Sequence, residues 1–303
     1  MVRTGKNTWK VLTIIFFFTA VGIMFTVGLA LFASWQSGSN GNFILNSSKN
    51  SDKIALVRIE EVILSSANVV GQIEHWADNK DIKAIIIRIV SPGGGVAQSQ
   101  EIFHAILLAK KKKPIVASMG TVAASGGYYI ASATDKIIAV PGTITGSIGV
   151  IAQFTNMEKL FDTIGMSSIV FKSGKYKDAG SPFRPFTEED HKLMQGIIDD
   201  VYNQFIEDVA NSRNMELEKV RKLADGRIFT GRQALSNGLI DELGTFRDSV
   251  KAATEMAGIG NDPEIVEVDK KSNFLEWLLA ELDIAIPAKV FTPPGIYYLW
   301  AAW

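Results

Sequence analysis

Apolar residues first gather in one uninterrupted block. Val11 to Ala33 runs for 23 residues without a charge. As a helix it would extend about 34 Å, enough for a hydrocarbon core of about 30 Å. From Ile54 onward the pattern changes to short apolar runs alternating with amphipathic stretches. Ile54 to Ile59 predicts a strand, and Ser66 to Asn79 predicts a helix with Val69, Val70, Ile73 and Trp76 on one face. Ala84 to Val90 is apolar enough to be a central strand, and it ends in Ser91-Pro92-Gly93-Gly94-Gly95. A helix is predicted from Val96 to about Lys111, then strands over Pro114 to Met119, Lys136 to Val140 and Ser147 to Ile151, and a short extended run over Ser168 to Phe171. Thr187 to about Arg213 predicts a long helix, opened by the near capping box of Thr187 and Asp190. Its apolar stripe, from Leu193 and Met194 through Ile197, Val201 and Phe205 to Val209, is broad enough for burial against a sheet or another subunit. Shorter helices are predicted over Glu216 to Ala224, Gly231 to Ser236 and Thr245 to Ala257. Such alternation implies an α/β domain with mostly parallel strands and right-handed crossovers.

Charge turns the first block into a topology. Arg3, Lys6 and Lys10 precede it, the first acid is Asp52, and Trp9 and Trp35 flank it. Basic residues stay on the cytoplasmic side and interfacial aromatics mark the membrane boundary. The run exceeds the roughly 7–15 residue core of a cleaved signal, so an uncleaved anchor is expected. The resulting division is a cytoplasmic N-terminus (1–10), a transmembrane anchor (11–33), a flexible Ser-, Asn- and Gly-rich tether (34–53), a folded domain (54–258) outside the cytoplasm, and a C-terminal extension (259–303). A net charge of −1 gives no electrostatic case for nucleic acid, and the absence of cysteine excludes disulfides, thiolate metal sites and a cysteine nucleophile. No His or acidic cluster has metal-ligand spacing, and no cofactor motif is present, because Gly93-Gly94-Gly95 lacks the Lys-Ser/Thr of a phosphate loop.

Chemistry concentrates at a few hydroxyls, glycines and lysines. Ser125 falls between a buried-looking strand and a glycine-opened helix, in Gly120-Thr121-Val122-Ala123-Ala124-Ser125-Gly126-Gly127-Tyr128-Tyr129. It suits either a helix N-cap or a nucleophile that small neighbours leave open to a substrate. A serine needs a base, yet His75, His104 and His191 all fall in helical patterns with no evident pairing to it. A neutral lysine is the alternative, and Lys177 lies in Lys172-Ser173-Gly174-Lys175-Tyr176-Lys177-Asp178, with Lys175 and Lys172 as rivals that spacing does not separate. Such a base must lose roughly 2–3 units from a free value of about 10.4, which burial and subunit contacts supply. Backbone N–H groups of Gly93 to Gly95 and of Gly126 could hold an oxyanion, and Ser147 in Thr145-Gly146-Ser147-Ile148-Gly149-Val150 is either a turn serine or an orienting partner for the lysine. Competing readings are an acyl-CoA enzyme using the same glycine donors and a silent membrane scaffold.

Five ordered motifs narrow these readings. Ser91-Pro-Gly-Gly-Gly95, Met119 to Tyr129, Thr145 to Val150, Lys172 to Asp178 and Asp225-Gly-Arg-Ile-Phe-Thr-Gly-Arg232 together resemble the short form of the signal peptide peptidase A family, over about Ile54 to Ala257. The resemblance implies a Clp protease/crotonase-like fold of repeated strand–strand–helix units behind one transmembrane helix, and a serine endopeptidase of the cell membrane acting on apolar peptides, among them released signal peptides. It assigns Ser125 as nucleophile, Lys177 as general base, Gly94 and Gly126 as oxyanion donors, and Ser147 as the residue touching the lysine. It also implies a homo-oligomer whose neighbouring subunits help build the active sites. Beyond the motifs, the segment Phe291-Thr-Pro-Pro-Gly-Ile-Tyr-Tyr-Leu-Trp300 has the look of an extended apolar ligand, lying in a groove or between subunits.

Overall fold

A computed structural model describes residues 52–268 and 297–299, all within one compact unit. The anticipated anchor, tether and most of the C-terminal extension lie outside the described residues. Among the described residues no helix is long and apolar enough to cross a membrane.

The fold is mixed α/β. Its central strands are β1 (Lys53–Ile63), β2 (Ile82–Gly95) and β3 (Ile115–Ala124), parallel neighbours in the order β3-β2-β1. Three helices link and follow them: α1 (Ala67–Asp78), α2 (Val96–Ala109) and α3 (Gly126–Ser132). The far half of β3 pairs with β5 (Ile144–Gly146), which pairs antiparallel with β6 (Ile228–Thr230). The near half pairs with β4 (Lys136–Ala139), which continues to β7 (Glu242–Leu243). On the other side β1 pairs with β8 (Glu264–Glu267). The remaining helices are α4 (Glu158–Thr163), α5 (Glu188–Ser212), α6 (Leu217–Leu223), α7 (Gly231–Asn237) and α8 (Phe246–Ala257).

The central strands are apolar on both faces because both faces are covered. Ala55, Val57, Ile59, Ile85, Ile87 and Ile89 join the main core, which α1, α2, α3 and α5 complete with Ile73, Phe103, Tyr129 and Phe205. Ile54, Leu56, Ala84, Ile86, Val116 and Ile138 face the other way, onto Ala252 and Ala253 of α8. Strands buried on two sides lose the polar alternation of a half-exposed sheet.

Three expectations need correction. The strand predicted over Ser147 to Ile151 is displaced to Ile144–Gly146, because Gly146 and Ser147 both take positive φ (76° and 49°) and turn the chain out of the sheet. The run Ser168 to Phe171, which leads towards Lys177, is not extended into a sheet and exposes its side chains, Phe171 at 95%. Conversely, β2 does not stop at Val90 but stays extended to Gly95, since Val62 and Ile63 of β1 pair with Gly93 and Gly94. The long helix has its expected cap: Thr187 Oγ1 accepts from the Asp190 amide and the Asp190 carboxylate accepts from the Thr187 amide. Its buried apolar residues, Phe205, Ile206, Val209 and Ala210, all lie in the C-terminal half.

Candidate active site

β3 delivers Ser125 to the point where the sheet ends and α3 begins. Ser125 has φ 54° and ψ −116°, a conformation that costs a non-glycine residue of order 1–3 kcal/mol and that folds retain mainly at functional positions. Two backbone bonds enforce it. The Ser125 amide donates to the Gly146 carbonyl at 2.7 Å, and its own carbonyl accepts from the Tyr129 amide at 2.8 Å. The side chain is 1% exposed, and Oγ has no hydrogen-bond partner. A buried hydroxyl left unmatched is rare.

The glycines crowd this hydroxyl's backbone. A β-carbon on Gly93 would lie 2.7 Å from the Gly126 nitrogen, and one on Gly126 would lie 3.2 Å from the Gly94 nitrogen and 2.6 Å from Ser99 Oγ. The two anticipated oxyanion donors, Gly94 and Gly126, are thus neighbours in space. Gly93 also needs its glycine for φ 106°. Ser91 fixes the turn: its Oγ donates to the Glu61 carbonyl at 2.5 Å and accepts from the Gly93 amide at 3.1 Å. In the sequence Ser91 belongs to a motif but carries no role of its own, since a serine before proline reads as an ordinary turn residue.

Ser147 sits just past the β3–β5 ladder, where Ala124 pairs with Gly146, so it neighbours the Ser125 turn. Its amide donates to the Arg227 carbonyl at 2.8 Å, and the Gly226 amide donates to the Ile148 carbonyl at 3.1 Å. The Asp225-Gly-Arg stretch therefore backs the Ser147 turn. Asp225 itself, gripped by Arg227, is held down at about 2.

Lys177 is elsewhere. It lies in an exposed turn, and its side chain makes no hydrogen bond or ion pair among the described residues. Since Ser125 Oγ also has no partner, the two groups share no hydrogen bond within one chain. The rival lysines are occupied. Lys172 pairs with Asp178 at 2.6 Å. Lys175 pairs with Glu189, whose carboxylate raises the lysine pKa and so opposes a neutral amine. The turn is clasped from behind: Arg184 bonds Asp178 at 3.1 Å and the buried Asp190 at 2.5 Å. Arg184 is the first cause holding each carboxyl below the usual range.

Sequence comparison decides the family. The profile described as peptidase family S49 matches residues 108–260, and that described as Clp protease matches 36–145. A Synechocystis protein named "Putative protease" is 45% identical over 72% of this chain and 78% of its own length. This chain belongs to peptidase family S49. It is 41% identical to the "Putative signal peptide peptidase SppA" of Enterococcus faecium, over 60% of this chain and 54% of that one. It is 35% identical to the chloroplastic serine protease SPPA of Arabidopsis thaliana, over 72% of this chain and 33% of that one. The chain therefore spans about half and a third of the length of those two relatives. The resemblance to signal peptide peptidase A holds, and the chain is a serine peptidase by family.

In this S49 peptidase an extended segment already runs past Ser125. Residues Tyr297–Leu299 form β9, antiparallel to β2 with Gly93 opposite Leu299, Gly94 opposite Tyr298 and Gly95 opposite Tyr297. On its other edge Tyr297 exchanges both backbone hydrogen bonds with Ile151, at 3.1 and 3.2 Å. These three residues of the C-terminal ligand-like segment thus pair with the sheet of their own chain, between Gly93 to Gly95 and Ile151.

Proposed function

We propose that this chain is a membrane-anchored serine endopeptidase that cuts extended apolar peptides, released signal peptides among them, with Ser125 as nucleophile and Lys177 of a second copy as base. The observation that carries the reading is the buried, unpartnered Ser125 hydroxyl on a strained strand-to-helix turn, with Gly94 and Gly126 beside it.

The chemistry follows from those groups. A peptide adds as a strand along Gly93 to Gly95, using main-chain hydrogen bonds. Ser125 Oγ attacks its carbonyl carbon while neutral Lys177 Nζ takes the hydroxyl proton. The amides of Gly94 and Gly126 hold the resulting oxyanion. Lys177 returns the proton to the departing amine, then takes one from water as that water attacks the acyl-enzyme and frees Ser125. Ser147, beside the Ser125 turn, would accept or donate one bond to the incoming amine. The proximity of a second copy is supported by the surface around Lys177, where Ile164, Met166, Ile169, Val170 and Phe171 are all more than half exposed. The uncovered first half of α5 adds Ile197 to that surface. The anchor at 11–33 would set the domain on the outer face of a membrane, next to discarded signal segments.

A serine-reactive probe and a fluorogenic apolar peptide test the proposal. Wild type should label at Ser125 and cut the peptide. Ser125→Ala should lose at least ~10³-fold in kcat, and Lys177→Ala should fall comparably, whereas Lys175→Ala should keep most of the rate. Equal loss in the two lysine variants would refute the assignment of the base.

A further inference from the structure

Ser91 occupies an irregular step in the central ladder. Between the pairs Glu60–Val90 and Val62–Gly93, β1 skips Glu61 while β2 skips Ser91 and Pro92. Glu61 takes φ 60° and Gly93 takes φ 106°, so both strands leave ordinary extended backbone at the same level. One hydroxyl joins the two deviations. Ser91 Oγ donates its proton to the Glu61 carbonyl at 2.5 Å and accepts from the Gly93 amide at 3.1 Å. The side chain is fully buried, so deleting the hydroxyl would strip the Gly93 amide of this partner away from solvent.

The same residue touches the other half of the site. A β-carbon on Gly127 would lie 3.0 Å from the Ser91 carbonyl oxygen and 3.7 Å from the Ser91 Cβ, so the first turn of α3 rests directly on Ser91. That turn has Ser125 as its cap and Gly126 as its first residue. Ser91 is therefore a common support of the glycine segment and of the nucleophile's helix. It also sorts the glycines chemically. The sequence leaves the amides of Gly93, Gly94 and Gly95 open as oxyanion donors, but an amide that donates to Ser91 Oγ has no proton left for a substrate. Gly93 is spent as an anchor, and the donor role passes to the next residue, whose nitrogen neighbours Gly126.

We propose that Ser91 is a positioning residue for the oxyanion hole: its hydroxyl, oriented by the Glu61 carbonyl, anchors the Gly93 amide and so aims the Gly94 amide, beside that of Gly126, at the oxygen on which charge develops. The inference rests on the serine-peptidase reading above and adds how its oxyanion donors are set. Donors fixed before substrate arrives need no reorganisation when charge appears. Ser91 acts through Gly93 and Gly94, so its loss is felt in the transition state and not in ground-state binding.

The test uses the full-length chain in its assembled form, carrying Ser91→Ala or the near-isosteric Ser91→Cys, whose thiol is only a weak donor and acceptor. On the fluorogenic apolar peptide, kcat should fall roughly 10- to 100-fold in both, short of the ~10²–10³-fold that deleting an oxyanion donor outright costs. KM should stay within about twofold. A peptide aldehyde, whose adduct with Ser125 carries the oxyanion, should lose affinity by the same factor as kcat. The parent peptide, titrated by fluorescence anisotropy onto Ser125→Ala and Ser125→Ala/Ser91→Ala, should bind equally. Ser249→Ala is the control: Ser249 is equally buried and bonds the Thr245 carbonyl at 3.2 Å, but it belongs to α8 on the other face of the sheet, and its loss should leave kcat unchanged. Ser91→Cys keeps the test decisive if Ser91→Ala unfolds. Equal losses in aldehyde and parent-peptide binding, or a folded Ser91 variant with kcat within about twofold of wild type, would overturn the inference and leave the peptidase reading standing. A wild type that neither labels at Ser125 nor cuts the peptide would overturn both.

Discussion

Ser125 combines two costs that no structural role requires: positive φ on a residue with a β-carbon, and a buried hydroxyl without a partner. An unmatched buried hydroxyl costs about 1–3 kcal/mol. Ser125→Ala should therefore abolish turnover and raise the melting temperature, by roughly 2–4 °C; calorimetry showing a drop would mean the hydroxyl has a partner that stabilises the fold. Gly126 behaves oppositely. Gly126→Ala would place a methyl 2.6 Å from Ser99 Oγ, itself bonded to the Gly95 carbonyl at 2.9 Å. Turnover should fall at least ~10²-fold, comparable to losing one oxyanion donor. Probe labelling of Ser125 against melting temperature separates that from unfolding. At this scale the sequence was informative: small residues around one serine drew attention to Ser125, and a glycine run to Gly93 to Gly95, which lie beside Gly126. It was silent on Ser91, whose hydroxyl joins the Glu61 carbonyl of another strand to the Gly93 amide, a contact that leaves no local pattern.

Among the elements, the turn bearing Lys177 has the clearest electrostatic design. Arg184 ties Asp178 to Asp190, and Asp190 closes the Thr187 cap, so the turn is stapled to the start of α5. Arg184→Met should loosen residues 164–187 and lower peptidase activity roughly tenfold while barely changing the melting temperature, because the clasp lies outside both core clusters. The pH response has a defined sign. Both carboxyls are depressed in the folded chain, so their stabilisation is complete above the unfolded value, about pH 4, and is lost as pH falls further. Hydrogen exchange corrected for intrinsic rates should show this segment opening at pH 3 before β1 to β3 do; simultaneous opening would mean that the clasp does not set the local stability of the turn. Helices and central strands were legible because periodicity and caps are local. The apolar run Ser168 to Phe171 joins no sheet, and Ile169, Val170 and Phe171 are exposed. The end of β2 was misplaced because Pro92 and the glycines read as a turn, while pairing with β1 keeps them extended.

For the whole molecule, a sheet covered on both faces leaves Ser125 buried at the strand ends, while Lys177 is exposed in a turn and shares no hydrogen bond with it. Mixing Ser125→Ala with Lys177→Ala, each inert alone, should restore about a quarter of wild-type activity if subunits pair at random. No recovery after subunit exchange would place both groups in one chain. The gap between Ser125 and Lys177 has a further physiological reading. If the base comes from a second copy, as proposed, a newly made, solitary chain would carry a proteolytic blade without its handle and stay inert until it encounters a sibling. Hydrolytic output on dilution should then fall more steeply than protein concentration, so that crowding in the plane of a bilayer, rather than synthesis, throttles destruction.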